Sequence, residues 1–508
     1  MAYGMGKGIA SVTLALLLTG NAVAQQGNSQ RLPPAPEPFD QAGAAEKSSG
    51  AGYLQRRFGL SEQEAQRRLA LQDEAEDFAV QLAESFPEAF LGLDIQQQPY
   101  KIVLNMASDE FDQEIRRTMP SSLRSVVQIR RSRFAAGEAD DIRAQLIEAM
   151  QGLRVSIAFD YSKDRFVVAA PSETQADIRS RLDGRLNALV DIETRPVQST
   201  TQSNATSSDA IYGGWTHYSV DGPQDYCTFA FTVRDQRGTP GLLTAEHCQT
   251  TVTERRRNNQ QSSGNVITFA NQDSSTYYRY GYVSATGRSY DFRLIPAPVV
   301  QTGAWVWFSN PRTNTYQKAR RDSTAANGWT NDTISYTNQY NGLPTSGYIA
   351  VIGTTGAGTT YGVYNPGHPI GSVRCKSGAT TGTTCGTITN SSQYFINDDD
   401  VIMDGVVQVG NSDFDVIADG GDSGGPIFTE PQWNSAYQRY EIRAAGIMHG
   451  ATLYNVNPVF QNSGKRPCDN RYDSADCRFS YMPIDRVNDF APVTIGIYDG
   501  NTLSYRAP

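Results

Sequence analysis

The sequence is poor in histidine and cysteine, with four of the first and six of the second in 508 residues. His217, His247, His368 and His449 all lie beyond residue 200, as do all six cysteines. No two cysteines stand in a CxxC pair, so the ligand spacing of structural zinc sites is missing and no metal or other cofactor is expected. Positive charge is scarce too. The net charge is −9 and lysines and arginines are interleaved with acids, which excludes the electrostatic footprint of a nucleic-acid partner. The short Arg255-Arg256-Arg257 run reads as a solvated loop or strand edge. The apolar run Ile9–Leu18 is too short to span a bilayer, so no membrane partner is expected.

What that run does fit is export. Lys7 precedes it and Ala22-Val23-Ala24 follows, giving a charged start, a short hydrophobic core and a small-x-small cleavage site. Residues 1–24 are therefore expected to be a bacterial secretory signal peptide, and the mature protein extracellular. Export permits disulfides. Six cysteines allow 15 connectivities, among which three pairs close in sequence stand out: Cys227 with Cys248, Cys375 with Cys385, and Cys468 with Cys477.

Composition changes near residue 200. The first half is rich in Arg, Glu, Gln, Ala and Leu, the second in Tyr, Thr, Gly, Asn and Ser. Residues 25–50 are Pro, Ala and Ser rich and expected to be disordered. From Leu60, Ser61 and Glu64 have capping-box spacing, with Leu60 placed to staple the helix start. Leu69, Leu71, Phe78, Val80 and Leu82 carry the pattern on as a long amphipathic helix. Val155–Ala170 alternates on both sides of a Ser-Lys-Asp turn, a hairpin signal, and a further helix is predicted near Ser172. Residues 51–196 thus read as an α+β unit without a nucleophile–base pair, since it has neither His nor Cys. The polar run 197–210 reads as an exposed linker or processing region. Beyond it, residues 211–508 hold short β-rich runs separated by Gly, Asn, Pro and Ser, the mark of an all-β barrel or sandwich. Helical periodicity returns only at Pro483–Phe490.

Asp419–Phe428, D-G-G-D-S-G-G-P-I-F, sets Ser423 among glycines. A serine hydroxyl becomes a nucleophile when a base takes its proton, and the base works best when an acid holds its tautomer. His247 ends the apolar run L-L-T-A-E-H-C beside Cys248, and a Cys227–Cys248 bridge would pin its backbone. Asp291 heads an apolar stretch, where an acid needs a partner. Asp273, Asp322 and Asp332 sit in polar loops and read as solvated. The order His247, Asp291, Ser423 is one of three well-known triad orders.

T-A-E-H-C, Y-D-F-R-L-I and G-D-S-G-G-P together resemble a chymotrypsin-fold serine protease, of the bacterial branch of α-lytic protease and the streptogrisins. Cys375–Thr389 resembles that branch's second disulfide loop, I-Y-G-G from Ile211 its mature N-terminus, and Ala445–Gly450 its substrate-binding strand. Arg57–Ala70 is similar to the opening helix of its pro-regions. The resemblance implies two six-stranded β-barrels with a C-terminal helix, preceded by an α+β pro-domain. It implies Ser423 as nucleophile, His247 as base and Asp291 as orienter, with the N–H groups of Gly421 and Ser423 as oxyanion hole. It also implies a buried pair between Asp422 and Lys376, where the branch carries an arginine. Ile417, Ala418, Met448, His449 and Gly450 fall where a specificity pocket would be.

Departures are visible. Ile417 replaces the cysteine of a pocket disulfide, while Cys468 and Cys477 are expected to close a local loop instead. Insertions span roughly 309–367 and 451–476. His449 replaces a serine that bonds the triad acid, which puts a second imidazole near Asp291 or into the pocket. The expectation is a secreted, monomeric endopeptidase acting on proteins or peptides, made as a zymogen whose own pro-region assists folding and inhibits. Ile417, Ala418 and Met448 favour an apolar residue at the cleaved position; the alternatives are Glu preference through His449, or a pseudoprotease binding protein or cell-wall ligands. His217 and His368 read as surface residues. Asn397–Gly405, acidic but without alternating ligand spacing, reads as a solvated turn rather than a Ca²⁺ loop.

Overall fold

The computed structural model describes residues 50–135, 137–153, 155–170, 172–194, 210–219, 226–248, 252–256, 278–283, 288–296, 301–309, 313–321, 329–337, 346–355, 365–379, 381–396, 402–410, 417–418, 421–437, 439–451, 453–455, 465–467, 478–487 and 493–507. The predicted signal peptide, the segment 25–49, most of the linker, Asp273 and Asp322 lie outside these residues. Of the three expected disulfides, Cys227 bonds Cys248 and Cys375 bonds Cys385. The third expected bond, between Cys468 and Cys477, falls outside the described residues, because Cys468 and Cys477 both do.

The first half is α+β. Helix Glu62–Ser85 starts where the sequence places it: Ser61 caps the helix and accepts from the Glu64 N–H at 3.2 Å. The Glu64 carboxylate turns to Arg67 and Arg68 at 2.8 Å instead of closing the box. Leu71, Phe78 and Leu82 pack on strands Phe90–Gln97 and Tyr100–Met106. The predicted hairpin forms as Ser156–Asp160 paired with Arg165–Ala170, turning through Asp164 at φ 56°. The helix predicted near Ser172 is a 3₁₀ turn followed by Gln175–Arg181.

The described second half is dominated by strands. One six-stranded antiparallel sheet runs in the order Tyr278–Val283, Arg288–Pro296, Pro240–Thr244, Thr232–Arg234, Thr494–Asp499, Thr502–Arg506. Most of the remaining strands join a thirteen-stranded sheet that does not stop at the boundary between the halves. Ser156–Asp160 of the first half pairs antiparallel with Gly382–Ile396, through Ile157 opposite Tyr394 and Ser156 opposite Phe395. A second six-stranded barrel does not stand apart among the described residues: the strands expected to form it belong to this larger sheet, to which the first half contributes strands. Of the predicted C-terminal helix, Arg486 and Val487 are helical and residues 488–490 fall outside the described set. The insertions hold the hairpin Thr313–Arg321 with Trp329–Thr337, and the pair Leu453–Asn455 with Lys465–Pro467.

The two halves share a core. Ala51, Tyr53, Leu54 and Leu69 belong to the same buried cluster as Trp215, Phe229, Phe231, Trp305 and Ile447. Buried ion pairs cross the junction as well. Arg374 makes a two-pronged contact with Glu76, at 3.1 and 2.9 Å, and Arg143 pairs with Asp404. That last contact corrects the solvated-turn reading at one position: Asp404 lies in strand Ile402–Gly410 and is buried. Among the described residues no helix is long and apolar enough to cross a membrane.

Candidate active site

The site is assembled by register. Pro240–Thr244 and Arg288–Pro296 are antiparallel neighbours with Thr244 opposite Arg293. The turn that follows Thr244 therefore lies beside Asp291, two residues along on the same face as Arg293. Both side chains grip that turn. Asp291 Oδ1 accepts the backbone N–H of Glu246 at 2.8 Å and of His247 at 3.1 Å. Arg293 donates to the Cys248 carbonyl at 3.0 Å and pairs with the Glu246 carboxylate at 2.8 Å. The Cys227–Cys248 disulfide closes the other side of the turn. His247 is held by its backbone before its ring does anything.

The ring is oriented by the same carboxylate. His247 Nδ1 lies 2.8 Å from Asp291 Oδ2, and His449 Nδ1 lies 2.5 Å from that same oxygen. Because a carboxylate only accepts, both nitrogens are the protonated donors. The two rings meet edge to face, 5.5 Å between centres. Asp291 is buried, which pushes its carboxyl upward, but the two imidazoles beside it and their hydrogen bonds outweigh burial and hold it far below the ordinary carboxylate range. It is ionised throughout the working pH range.

Ser423 arrives from the opposite sheet on a turn shaped by glycines. Gly421 has φ 89° and Gly424 φ 79°, values that favour glycine. A Cβ on Gly424 would lie 2.1 Å from Thr244 Oγ1 and 2.4 Å from the Thr228 carbonyl. The turn is tied down by Thr228 N–H to the Ser423 carbonyl at 2.7 Å and by Gly424 N–H to the Met448 carbonyl at 2.8 Å. The Ser423 hydroxyl donates to the His449 carbonyl at 3.3 Å.

Asp422 anchors the same turn. Its carboxylate lies 2.9 Å from Lys376 Nζ, both side chains fully buried, and it also accepts from the Thr381 N–H at 3.1 Å and hydroxyl at 2.5 Å. Lys376 donates in addition to the Gly382 carbonyl at 3.0 Å. Cys375 and Cys385, bonded to each other, close the hairpin that presents Lys376.

His449 sits where strand Arg439–Ala451 breaks step. Met448 faces Tyr481 and Gly450 faces Ser480, so one residue of the strand is left over at position 449. Such an extra residue re-aims a side chain, and here the ring lies on Asp291. Ile417, Ala418 and Met448 are packed into a buried apolar cluster with Val407, Val409 and Phe479; Gly450 follows His449 in the same strand.

Two histidines correct the surface reading. His217 is buried, and its Nε2 donates at 2.8 Å to Thr244 Oγ1, which donates its own proton to the Thr228 carbonyl at 2.8 Å. Burial, with the Arg293 charge nearby, lowers its pKa to about 3, so it stays neutral. His368 is buried against Tyr481, Nδ1 to hydroxyl 2.8 Å, and burial holds it well below its usual value. The positioning pair Glu246–Arg293 escaped the sequence reading. The signal was there in D-F-R: the acid and the arginine two residues later share a strand face.

Among the described residues, two clusters bring three metal-type ligands together: His217, Cys227 and Cys248, which offer no thiolate because the cysteines are bonded to each other, and His247, Asp291 and His449.

No family model matches this chain, and no curated protein does. Among solved structures, a Nocardiopsis protease is similar over 58% of this chain and 99% of its own, at 19% identity and a TM-score of 0.30. Thermobifida fusca protease A is similar over 59% and 100%, at 21% identity and a TM-score of 0.28. A Cellulomonas bogoriensis chymotrypsin is similar over 55% and 94%, at 18% identity and a TM-score of 0.28. Likeness at this level leaves the assignment to the site's own geometry.

Proposed function

We propose that the chain is a secreted serine endopeptidase of the bacterial chymotrypsin-like kind, using Ser423, His247 and Asp291. The observation that carries this reading is the double hold of one buried carboxylate on His247, by backbone and by ring. That hold selects the tautomer with a proton on Nδ1 and a lone pair on Nε2, which a general base for a serine needs.

Ser423 Oγ attacks the scissile carbonyl carbon while His247 Nε2 takes its proton. The N–H groups of Gly421 and Ser423 meet the oxyanion of the tetrahedral intermediate, each contributing about 3 to 4 kcal/mol of barrier lowering. His247 then gives its proton to the leaving amine. Water repeats the sequence on the acyl-enzyme and restores Ser423. The hydroxyl, which donates to the His449 carbonyl in the free protein, turns to His247 when substrate enters, as catalytic hydrogen bonds tighten on binding.

An apolar residue at the cleaved position is favoured over glutamate, because the His449 ring is engaged with Asp291. The first half acts as a pro-region that assists folding and restrains the protease until cut away. Its strand pairing and buried ion pairs with the second half support this. A β-rich unit with non-local pairings folds slowly, which is what such help would relieve.

Labelling with a fluorophosphonate, followed by peptide mass spectrometry, tests the reading: covalent modification at Ser423 and at no other serine is expected. A folded, processed protein that takes no label is a binder and not a protease. Rapid unaided refolding of residues 211–508 to full activity would remove the folding role.

A further inference from the structure

The use of two imidazoles on one carboxylate has a chemical consequence beyond orienting a base. His247, His449 and Asp291 each offer a ligand atom, and these lie within 4.8 Å of one another. Two histidines and a carboxylate, with a fourth position left to water, are a donor set that suits Zn²⁺ and similar borderline cations. We infer that this cluster is a latent divalent-cation site and that filling it switches the base off, an inference that rests on the reading of His247 as general base only for its second half.

The geometry needs little change. Ligands at Zn–N and Zn–O lengths of about 2.0 to 2.1 Å in a tetrahedron stand roughly 3.3 Å apart. The two Nδ1 atoms are 2.8 and 2.5 Å from Asp291 Oδ2, so the rings have to back away by less than an ångström. His247, on a turn and 13% exposed in its side chain, has room to do so; the His449 ring, 1% exposed, makes the larger shift of about 0.8 Å, while the Asp291 carboxylate, 0% exposed, stays put. The cation enters from the His247 side, where water also completes the tetrahedron. Asp291 Oδ1 keeps its two backbone N–H donors, so the carboxylate is held in place from outside the metal shell, as good sites require. The nearby cation Arg293 is matched by Glu246 at 2.8 Å and adds little repulsion.

The switch follows from proton accounting. Without a cation each ring carries its proton on Nδ1, directed at Asp291. A metal takes the Nδ1 lone pairs, so each ring's proton passes through water to Nε2. No proton is lost or gained, and the cluster's charge rises by two. His247 Nε2, now protonated, cannot accept the proton of Ser423. Metal binding and base catalysis are mutually exclusive at this ring. A serine at position 449 would leave two ligands, so His449 is what makes the site.

Neither paired cysteines nor histidines close in sequence announce this cluster, since residues 247, 291 and 449 meet only in the fold.

The test uses the full chain carrying Ser423→Ala, which removes self-digestion, titrated with Co²⁺ in a non-chelating buffer. One equivalent of Co²⁺ is expected to produce a visible d–d band of tetrahedral type, discharged by Zn²⁺. His449→Gln, which keeps the volume and a hydrogen-bond donor for Asp291, is expected to bind at least ten-fold more weakly, and His449→Ser likewise. With Ser423 restored and the protein processed, fluorophosphonate labelling is expected to slow under micromolar Zn²⁺ and recover on adding EDTA, with His449→Gln insensitive. No one-to-one Co²⁺ binding by a chain of unchanged circular dichroism overturns the site, whatever the labelling shows. Binding unaltered in both His449 variants overturns the ligand assignment. Binding at the site with labelling unaffected by Zn²⁺ overturns the switch. Absence of labelling in metal-free protein that still binds Co²⁺ through His449 refutes the protease reading and upholds the site.

Discussion

Replacing Lys376 by methionine isolates the support beneath the nucleophile. Methionine matches the lysine stem in length, so the cavity cost is small and the lost ammonium is the perturbation. Lys376 and Asp422 are both fully buried, 2.9 Å apart. Removing one partner of a buried pair costs about 3 to 5 kcal/mol, because the other charge stays behind. Here Asp422 keeps two donors from Thr381, which places the cost near the lower end, about 3 kcal/mol. The Gly382 carbonyl loses its donor as well. At about 2.1 cal/mol/K of unfolding entropy per residue, a unit of roughly 300 residues loses about 1.6 °C per kcal/mol, so a fall of about 5 °C is expected in a thermal scan. Activity should fall too. Asp422 lies between Gly421 and Ser423, so a carboxylate that swings away moves both N–H groups proposed for the oxyanion, and the labelling rate should drop at least ten-fold. The double variant Lys376→Met with Asp422→Asn removes the stranded charge and should recover part of the lost stability. Unchanged melting and labelling in Lys376→Met would refute the argument, and so would strictly additive single and double variants.

Asp291→Asn leaves the turn's shape but withdraws the acceptor that selects the His247 tautomer, so hydrolysis should fall about 10⁴-fold with KM little changed and circular dichroism and melting temperature preserved; a loss below about ten-fold in such protein would refute the role. Gly424→Ala drives a Cβ into Thr244 and Thr228, and fluorophosphonate labelling of the soluble fraction should vanish, whereas full labelling would show the turn to be adaptable. Glu430 is buried, accepts the Ala51 N–H at 2.7 Å, and burial raises its pKa to about 8. Its folded value lies above the unfolded one near 4.5, so its stability contribution is present below about pH 4.5 and drains away as pH rises through about 8. Glu430→Gln should therefore flatten the decline in melting temperature between about pH 5 and 8.5 and raise the value at the alkaline end; a lower alkaline value would contradict this. Glu76→Gln leaves Arg374 buried without the carboxylate it pairs with and should cost about 3 kcal/mol, read as a lower melting temperature and faster trypsin cutting between the halves.

Much of the local structure was legible. The Ser61 cap, the hairpin of Val155–Ala170 and the two described disulfides depend on residues close in the chain, and their geometry follows from turn chemistry and alternation. Short motifs single out Ser423, His247 and Asp291 because the strand end, the acid in an apolar strand and the glycine turn each leave a mark in a few residues. The reading of His217 and His368 went astray for a physical reason: a turn-like neighbourhood says where the backbone bends, not whether another sheet covers the side chain. Asp404 misled in the same way, since its partner Arg143 is 261 residues away.

By itself, then, the sequence determined the division into an α+β half and a β-rich half, the spacing that closes the two described disulfides, and the identities of Ser423, His247 and Asp291 as the residues to watch. Tertiary structure decided what those residues touch. A one-residue slip between Met448 and Gly450 aims His449 at Asp291, and the pairing of Thr244 with Arg293 sets both Asp291 and Arg293 against the turn that carries His247. Register between strands is set by packing across the whole sheet, with one face flipped by every single-residue shift. No local stretch of sequence contains that information.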